Sequence, residues 1–600
     1  MTYDITRQRQ QYLDARGYTI LMACPGSGKT TSIVYKLKQL TEELHNHSRF
    51  AGVACLSYTN AACVEYHKKY KELHGNHLLY PHIFSTLDSF ISQFIVLPYA
   101  YLLKLPERLR IIDDAEILSR LYKICNDRDN DSVFSYVKTI STYGQLPYHK
   151  QPEQCEFDID GYRWKGNILS DDNEIRYCKT CVKYRFSKGI ITSHDAAFIA
   201  YHLLKTHRHI AKALAQRFPY IIVDEAQDTT FLQFEILKIL REEGIANMEF
   251  VGDVFQSIYE WNNARPDILK SYAQSEQFTL LQFTECRRSV QSIIDIYSSI
   301  SEPNAPRIES FEVEDQQCPI TIYRYGENVE RSVIYDFYEQ SDRYNLSSKL
   351  VLFRGNEAVA KVMGFSKNVF PWKNSVAYDV INAQVLIRKG DYSCGIDLLR
   401  RVWAKCACST WEEEHQFVDN IRDDVDKNAL LLELSSSLPD FNHTIQDWQS
   451  LTEETLQTKL QLSRIIDFKR KTRMKDMPPM STFINERMMK YWGIDDDDVY
   501  KDRIDACTIH QVKGASVDAV LLFLSTSSQG DTISLADFPN HGSRRTQPMK
   551  EKHRLIYVAC SRAKQFLALA VPDIISEDEI YRKFGRNIAI RSIGVQTNLF

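Results

Sequence analysis

A glycine-rich segment near the start of the chain ends in a lysine and a threonine. Residues 23–30 read ACPGSGKT and lie between an apolar, β-prone run at 18–22 and a helical pattern at 31–44. A glycine-rich loop between a strand and a helix lets backbone N–H groups turn inward around phosphate oxygens. Lys29 can then bring its charge to the β- and γ-phosphates, and the Thr30 hydroxyl can bind Mg²⁺. The segment therefore predicts a nucleoside triphosphate site.

An acidic pair follows a second apolar run. Residues 220–228 read YIIVDEAQD, so Asp224 and Glu225 come at the end of a predicted strand. Asp224 can hold Mg²⁺, and Glu225 can accept a proton from the water that attacks the γ-phosphate. Such a pair can instead cap a helix, but its combination with the glycine-rich loop favours a site for ATP hydrolysis.

Composition limits the classes of protein that fit these residues. The 600 residues are 44% apolar and 25% charged, which excludes a disordered or fibrous chain. Because 74 Lys and Arg stand against 78 Asp and Glu, any attraction for nucleic acid must be local, as in the basic segments 469–475 and 544–554. No stretch is apolar enough over enough residues to span a bilayer, and no signal core follows the N-terminus. We therefore expect a cytoplasmic protein without a membrane partner.

Further motifs follow in a fixed order around the acidic pair. They read LSYTNAA at 56–62, FSTLDSF at 84–90, VDEAQDT at 223–229, VGDVFQSIYEW at 251–261, FTECRRS at 283–289, LFRGN at 352–356, TIHQVKG at 508–514 and EKHRLIYVACSRA at 551–563. This series resembles the motifs of the UvrD/Rep/PcrA-like superfamily 1A DNA helicases, and the GajB-like antiphage-defence members are a more specific alternative.

The resemblance implies an α/β fold with two RecA-like P-loop motor domains and mainly helical insertions, in a 1A/1B/2A/2B arrangement. We expect domain 1A at 1–92 and 190–276, insertion 1B at 93–189, domain 2A at 277–375 and 500–600, and insertion 2B at 376–499. Heptad-like patterns predict helices at 428–438 and 451–469 in the last insertion.

The same resemblance, read with the residue chemistry, gives the expected ATP site. Catalytic roles are predicted for Lys29, Glu225, Gln256, Arg288 and Arg562. ATP contacts are predicted for Gln8, Gln10, Ala23, Pro25, Gly26, Ser27, Gly28, Lys29, Thr30, Thr31, Arg354 and Gly514, and Mg²⁺ contacts for Thr30 and Asp224. The two arginines, as planar and always-charged forks, can stabilise charge on the transferred phosphoryl group.

Two positions depart from the family pattern. The adenine-reading glutamine near the N-terminus falls on or beside Arg9, so Gln8 or Gln10 is the expected substitute. In the motif at 508–514, the residues that follow are Ala515 and Ser516, where the family commonly has a ribose-contacting glutamate.

Single-stranded nucleic acid is bound through aromatic platforms and backbone contacts, because every base offers a face for stacking. The resemblance assigns DNA binding to Tyr58, Thr59, Asn60, Thr86, Tyr259, Trp261 and His510. An isolated aromatic side chain more often belongs to a core, and that alternative stays open for Tyr58 and Trp261.

The function that the resemblance implies is an ATP-dependent 3′–5′ single-stranded DNA translocase and DNA helicase acting on single-stranded or 3′-tailed DNA. The alternative is an ATPase subunit that senses DNA ends or nucleotides and regulates a partner nuclease in an antiphage defence complex. The final residues, 596–600, read QTNLF and resemble a sliding-clamp-binding peptide. The expected cofactors are ATP and Mg²⁺.

Overall fold

The computed structural model describes residues 4–47, 50–106, 108–113, 155–158, 161–164, 185–259, 264–363, 371–373, 375–388, 390–408, 411–422, 424–462, 466–472, 479–489, 506–526 and 532–594. Trp261, the tail at 596–600, and Arg473 and Lys475 of the first basic segment lie outside these ranges.

The first sheet contains six parallel strands within the described part of the chain. They are β1 (Tyr18–Ala23), β2 (Val53–Ser57), β3 (Ile83–Thr86), β4 (Tyr220–Val223), β5 (Asn247–Gly252) and β6 (Thr279–Phe283), in the order β6-β1-β5-β4-β2-β3. Strands β2 and β4 are buried along their whole length, as their continuous apolar sequences predict for a parallel sheet covered on both faces. The carboxyl ends of these strands share one edge, so the loops after β1, β2, β4 and β5 meet there.

The predicted boundary at residue 276 does not coincide with the end of this sheet. Strand β6 begins at Thr279 and pairs in parallel with β1 from Thr19↔Thr279 to Ala23↔Phe283. The apolar side chain of Phe283 packs with Tyr12 and Leu21 in the core below β1. The first sheet therefore continues past the predicted boundary.

A second sheet of six parallel strands is built from the later half of the described chain. It comprises β7 (Thr321–Tyr325), β8 (Lys349–Phe353), β9 (Ala506–Thr508), β10 (Val517–Phe523), β11 (Ala563–Pro572) and β12 (Ala589–Ile593), in the order β9-β8-β10-β11-β7-β12. The apolar side chains of β10 and β11 form cores on both faces of the sheet. This doubling of the architecture agrees with the predicted α/β fold.

Helices flank both sheets. Those of the first half are Arg7–Asp14, Lys29–His47, Asn60–His74, Leu87–Ile91, Ser193–Thr206, Arg208–Arg217, Phe231–Glu242 and Pro266–Ala273. Those of the second half are Gln291–Ser299, Glu330–Arg343, Asn356–Met363, Glu551–Cys560 and Glu577–Phe584. Among the described residues, no helix combines the length and the apolar character needed to cross a membrane.

The described residues between β3 and β4 include short helical segments and short strands. The helical segments are Ser92–Val96, Leu97–Tyr99 and Ala100–Leu103. Strand Arg110–Ile111 pairs in parallel with Ile190–Ile191, and Cys155–Asp158 pairs in antiparallel fashion with Gly161–Trp164.

A helical unit lies between β8 and β9. Its helices are Val376–Arg388, Tyr392–Ala407, Trp411–Arg422, Val425–Ser437, Ile445–Lys459 and Met480–Phe483. The helix predicted at 428–438 is therefore present, whereas the prediction at 451–469 is wrong in its extent. That helix ends at Lys459, and Gln461 adopts a left-handed backbone with φ +48°. Phe468 then enters the core of the unit beside Trp372, and the Lys373 N–H donates to the Lys469 carbonyl at 2.7 Å.

Candidate functional site

The loop after β1 depends on two glycines with positive φ. Gly26 has φ +73° and Gly28 has φ +84°, a region that glycine enters without steric cost. A Cβ on Gly26 would lie 2.4 Å from the Arg288 Cβ, and one on Gly28 would lie 2.6 Å from the Arg9 Nη2. The loop is therefore held between an N-terminal arginine and a segment that precedes the second sheet, and neither glycine can carry a side chain without displacing a neighbour.

Lys29 and the acidic pair converge at the edge of the first sheet. The Lys29 Nζ lies 3.2 Å from the Glu225 Oε1. Burial acts to raise the pKa of Glu225, but the charges of Lys29 and Lys513 outweigh it and lower that pKa. Glu225 has φ +52°, an uncommon conformation for a residue with a side chain, and the Gln227 side-chain amide donates to its carboxylate. The ionised Glu225 is thus held in one orientation beside the loop.

Asp224 has a different environment from its neighbour. The Tyr66 hydroxyl donates to the Asp224 Oδ2 at 2.7 Å. Burial, followed by the charge of Glu225, raises the pKa of Asp224. Its Oδ1 is buried and has no hydrogen-bond partner among the described residues, and the same holds for the Ser27 Oγ.

These orphaned oxygens fit a cation with bound phosphates. The described residues contain no group of three or more His, Cys, Asp and Glu side chains that could hold a metal ion by themselves. Mg²⁺ in phosphate sites typically takes one or two protein ligands and keeps substrate and water oxygens for the rest of its shell. Asp224 Oδ1 and the Thr30 hydroxyl match that requirement, since both residues line the same cavity.

The cavity has a volume of about 630 Å³ and is lined from both halves of the chain. On the side of the second sheet, the Arg288 Nη1 donates to the Ser561 carbonyl at 3.1 Å. The Arg562 Nη2 donates to the Gln256 Oε1 at 2.7 Å, and the Gln256 Nε2 donates to the Asp253 Oδ2 at 2.9 Å. Gln256 therefore connects an arginine of the second half to a carboxylate that follows β5 in the first sheet.

Arg562 is a buried cation. Arg562 is only 2% exposed. Burial, together with the charge of Arg288, lowers the pKa of Arg562 to about 9. Burial also lowers the pKa of Arg288. Two buried guanidinium groups that repel each other favour an anion between them and the Lys29 ammonium, because an anion offsets their lost hydration.

Aromatic side chains lie beside this cavity. The rings of Tyr58 and Tyr259 are stacked, with centroids 5.3 Å apart and planes 26° from parallel. The His510 ring centroid lies 6.4 Å from that of Tyr259. Both tyrosines line the cavity, and both are half-buried.

The remaining predicted nucleic-acid residues have local roles in the structure. Thr59 caps the helix Asn60–His74, since its hydroxyl accepts from the Ala62 N–H at 3.2 Å. Asn60, the first residue of this helix, is exposed. The Thr86 hydroxyl caps the helix Leu87–Ile91 through the Ser89 N–H at 3.1 Å. Trp261 lies outside the described residues.

The structure brings most of the predicted site residues to the cavity, but not all. Those that line it are Pro25, Gly26, Ser27, Gly28, Lys29, Thr30, Tyr58, Thr59, Asp224, Glu225, Gln256, Tyr259, Arg288, Gly514 and Arg562. Those that do not are Gln8, Gln10, Ala23, Thr31, Asn60, Thr86, Arg354 and His510. Ala23 is buried at the end of β1, and Arg354 directly follows β8.

The two candidate adenine-reading glutamines are engaged elsewhere. The Gln8 amide donates to the Thr284 Oγ at 2.8 Å and accepts from the Thr284 N–H at 2.9 Å. The Gln10 amide donates to the Asp14 carboxylate on the exposed face of its helix. Arg9 instead reaches the loop, and its Nη2 donates to the Ser27 carbonyl at 3.2 Å.

Several residues that line the cavity were not predicted from the sequence. Arg287 carries its guanidinium 4.3 Å from the centroid of the Phe311 ring and pairs with Asp4 and Glu312. Lys513 forms an ion pair with Asp228. Arg287 is adjacent to Arg288, Lys513 is adjacent to Gly514, and Asp228 ends the DEAQD segment. Their charge and their position within these motifs are the sequence signal for them.

Comparisons with known proteins identify similar sequences. Residues 5–277 match the UvrD/REP helicase N-terminal domain. A probable DNA helicase II homolog of Mycoplasma genitalium is 22% identical, over 96% of this chain and 85% of that protein. DNA helicase II of Haemophilus influenzae is 23% identical, over 58% of this chain and 48% of that protein. The ATP-dependent DNA helicase Rep of Escherichia coli is 25% identical, over 48% of this chain and 41% of that protein. The comparisons therefore identify residues 5–277 as a UvrD/REP helicase N-terminal domain, and they support a relationship of the chain to the UvrD-like superfamily 1 helicases.

Proposed function

We propose that this protein is an ATP-dependent 3′–5′ single-stranded DNA translocase and DNA helicase that hydrolyses Mg²⁺-ATP between its two RecA-like domains. One observation carries the proposal: a single cavity is lined by Lys29 and Glu225, which follow strands of the first sheet, and by Arg288 and Arg562, which come after that sheet in the chain. Because both parts of the chain line the cavity, ATP can hold them together and its hydrolysis can release them. The polarity follows from the family resemblance.

The domain assignment belongs to the same proposal. Domain 1A corresponds to the first sheet with its helices, and domain 2A to the second. The helical unit between β8 and β9 corresponds to insertion 2B. The chain between β3 and Ile190 corresponds to insertion 1B.

ATP binding is assigned to the loop after β1. The backbone N–H groups around Gly26 and Gly28 surround the phosphates, and the Lys29 ammonium contacts the β- and γ-phosphates. Mg²⁺, held by the Asp224 Oδ1 and the Thr30 hydroxyl, would neutralise charge on the β- and γ-phosphate oxygens.

Hydrolysis is assigned to Glu225 and the two arginines. Glu225 accepts the proton of the attacking water, and its ionised state is favoured by Lys29 at 3.2 Å. Arg288 and Arg562 donate to the oxygens on which negative charge develops as the γ-phosphoryl group is transferred. The Gln256–Arg562 hydrogen bond at 2.7 Å is then exchanged or broken according to the nucleotide present.

Single-stranded DNA is assigned to the aromatic pair next to this cavity. A base that stacks on Tyr58 or Tyr259 contributes about 1–3 kcal/mol, whatever its identity. The net charge of −4 gives no long-range attraction for phosphates, so we expect weak binding to duplex DNA at physiological salt. The proposed substrate is therefore a single strand or a 3′ tail.

Strand displacement by the isolated chain tests the proposal. Duplexes with a 3′ tail, a 5′ tail or no tail are incubated with ATP, and ATPase activity is recorded with and without single-stranded DNA. We expect DNA-stimulated hydrolysis and displacement of the 3′-tailed substrate. Lys29→Ala and Glu225→Gln should abolish both activities, whereas Lys38→Ala, at a lysine of the same helix outside the cavity, should retain them.

Other outcomes reject parts of the proposal. Displacement of the 5′-tailed duplex alone would reverse the polarity. DNA-stimulated hydrolysis without displacement of any substrate would favour an ATPase that reports DNA to a partner. Unchanged hydrolysis in Glu225→Gln would remove the assigned catalytic base.

A further inference from the structure

Lys513 links the nucleotide site to the aromatic pair. It follows the turn Ile509–Val512, which begins directly after β9 of the second sheet. Its ammonium pairs with the Asp228 Oδ2 and lies 4.7 Å from the centroid of the Tyr259 ring. Both of these partners belong to the first half of the chain, so Lys513 bridges the cleft.

The ion pair is buried on both sides. The Asp228 side chain is 1% exposed and the Lys513 side chain is 11% exposed. The Asp228 Oδ1 has no hydrogen-bond partner among the described residues. A buried carboxylate in this situation depends strongly on its ion-pair partner, because an unpaired buried charge is unfavourable. Closure of the cleft is therefore favoured by Asp228 as well as by nucleotide.

The second contact of Lys513 is with an aromatic face. A desolvated ammonium over a tyrosine ring stabilises the position of that ring. Tyr259 in turn stacks on Tyr58 at 5.3 Å. The contacts thus run without a gap from Asp228, at the end of the short helix Ala226–Asp228 that follows Glu225, to the two rings.

We propose that Lys513 is a positioning residue that couples the state of the nucleotide cleft to the aromatic pair. In the closed cleft its ammonium fixes Tyr259 against Tyr58. When the cleft opens, the ammonium leaves the ring and Asp228 together, and the pair is free to release or accept a base. This inference rests on the proposed function, since it requires a cleft that ATP closes and hydrolysis opens.

A direct phosphate contact by Lys513 is the rival explanation, and the two differ in salt dependence. On a single strand, loss of a phosphate contact reduces the slope of log affinity against log salt by about 0.7. Loss of a contact to a tyrosine ring leaves that slope unchanged.

The experiment uses the full chain and a fluorescein-labelled oligothymidylate. Its affinity is measured by anisotropy with ADP–aluminium fluoride and without nucleotide, in several salt concentrations. Lys513→Met should reduce the nucleotide-dependent change in affinity about ten-fold, with an unaltered salt slope. Lys513→Arg should retain most of the nucleotide-dependent change in affinity, because a guanidinium can contact both a carboxylate and a ring.

A matched control and a double variant complete the test. Lys405 pairs with Asp379 at 2.9 Å and its side chain is 18% exposed, but it lies in the helical unit, so Lys405→Met should change nothing. In a Tyr259→Leu background, Lys513→Met should cause no further loss. If Lys513→Met does not fold, the double variant Lys513→Met/Asp228→Asn is used in its place, because it removes both charges of the ion pair.

Each contrary result has a distinct meaning. Additive effects of Lys513→Met and Tyr259→Leu, or a salt slope reduced by about 0.7, would overturn the positioning role. A variant that keeps the wild-type response to nucleotide would also overturn it. A wild-type protein without DNA-stimulated ATPase would instead reject the proposed function itself.

Discussion

Replacing Arg562 by lysine keeps one positive charge but removes a planar fork that makes four contacts. The guanidinium donates to the Val558 carbonyl at 3.0 Å, the Ala515 carbonyl at 3.3 Å, the Gln256 Oε1 at 2.7 Å and the Ser561 Oγ at 3.1 Å. A lysine ammonium is a single point with three donors, so it cannot reproduce this spread.

The magnitude follows from what Arg562 is expected to do in hydrolysis. An arginine that stabilises the transferred phosphoryl group contributes about 10³–10⁵ in kcat. We expect Arg562→Lys to lower kcat about 10³-fold, which corresponds to about 4 kcal/mol of transition-state stabilisation. The KM for ATP should change much less than kcat, because the lost interaction forms mainly in the transition state. The unpaired Gln256 Oε1 should lower the free energy of unfolding by about 1–3 kcal/mol.

Steady-state ATPase at saturating single-stranded DNA, with thermal unfolding as a check, measures both effects. Arg554→Lys is the matched control. Arg554 lies on the helix Glu551–Cys560, is buried, and donates to the Ser257 carbonyl at 2.6 Å and the Met549 carbonyl at 3.0 Å, but it does not line the cavity. Arg554→Lys should lower the free energy of unfolding by a similar amount but should change kcat little. A kcat of Arg562→Lys within about ten-fold of wild type, or an equal loss of kcat in both variants, would contradict the assigned role of Arg562 in hydrolysis.

Three further predictions concern the loop after β1, the aromatic pair and the buried carboxylate of Asp228. Gly26→Ala should abolish nucleotide binding measured by calorimetry, because its Cβ would lie 2.4 Å from the Arg288 Cβ, whereas Gly75→Ala, with positive φ but open space, should leave binding intact; equal effects would contradict the steric argument. Tyr58→Ala should weaken oligothymidylate binding by about 1–3 kcal/mol in anisotropy titrations, whereas Tyr58→Phe should not. Unchanged binding by Tyr58→Ala would show that the ring has no role in stacking. Burial, opposed by the charge of Lys513, raises the pKa of Asp228 to about 6, so this group's contribution to stability is lost as pH rises from about 4 to about 6. In urea unfolding, Asp228→Asn should therefore show a smaller fall in stability over that interval, and an unchanged slope would argue against the raised pKa.

The nucleotide loop and the acidic pair were predictable because each depends on a short stretch of chain. A strand, a glycine turn and a helix over consecutive residues place Lys29 and Thr30, and the strand β4 alone places Asp224 and Glu225 at the sheet edge. The local pattern was less informative for the helix predicted at 451–469. There Phe468 and the Lys373–Lys469 backbone contact favour an extended segment over a continued helix, so tertiary packing overrides the periodic pattern.

The N-terminal glutamines show the same limit. Gln8 has the residue type expected for reading a base, yet its amide is bound to Thr284, which is 276 residues away in the chain. Arg9 occupies the position next to the loop. A side chain's partner at such a separation depends on the packing of whole sheets, which no local spacing reports.

The family resemblance, the chemistry of the nucleotide loop and the pattern of two α/β units can be predicted from the sequence, because they depend on residue types over short, continuous segments. Only the folded structure shows that Arg288 and Arg562 line one cavity with Lys29 and that Gln256 joins Asp253 to Arg562. It also decided that Lys513 bridges Asp228 and Tyr259. These contacts join residues that are hundreds of positions apart, and their energies arise only when two separate sheets bury the same charged groups between them.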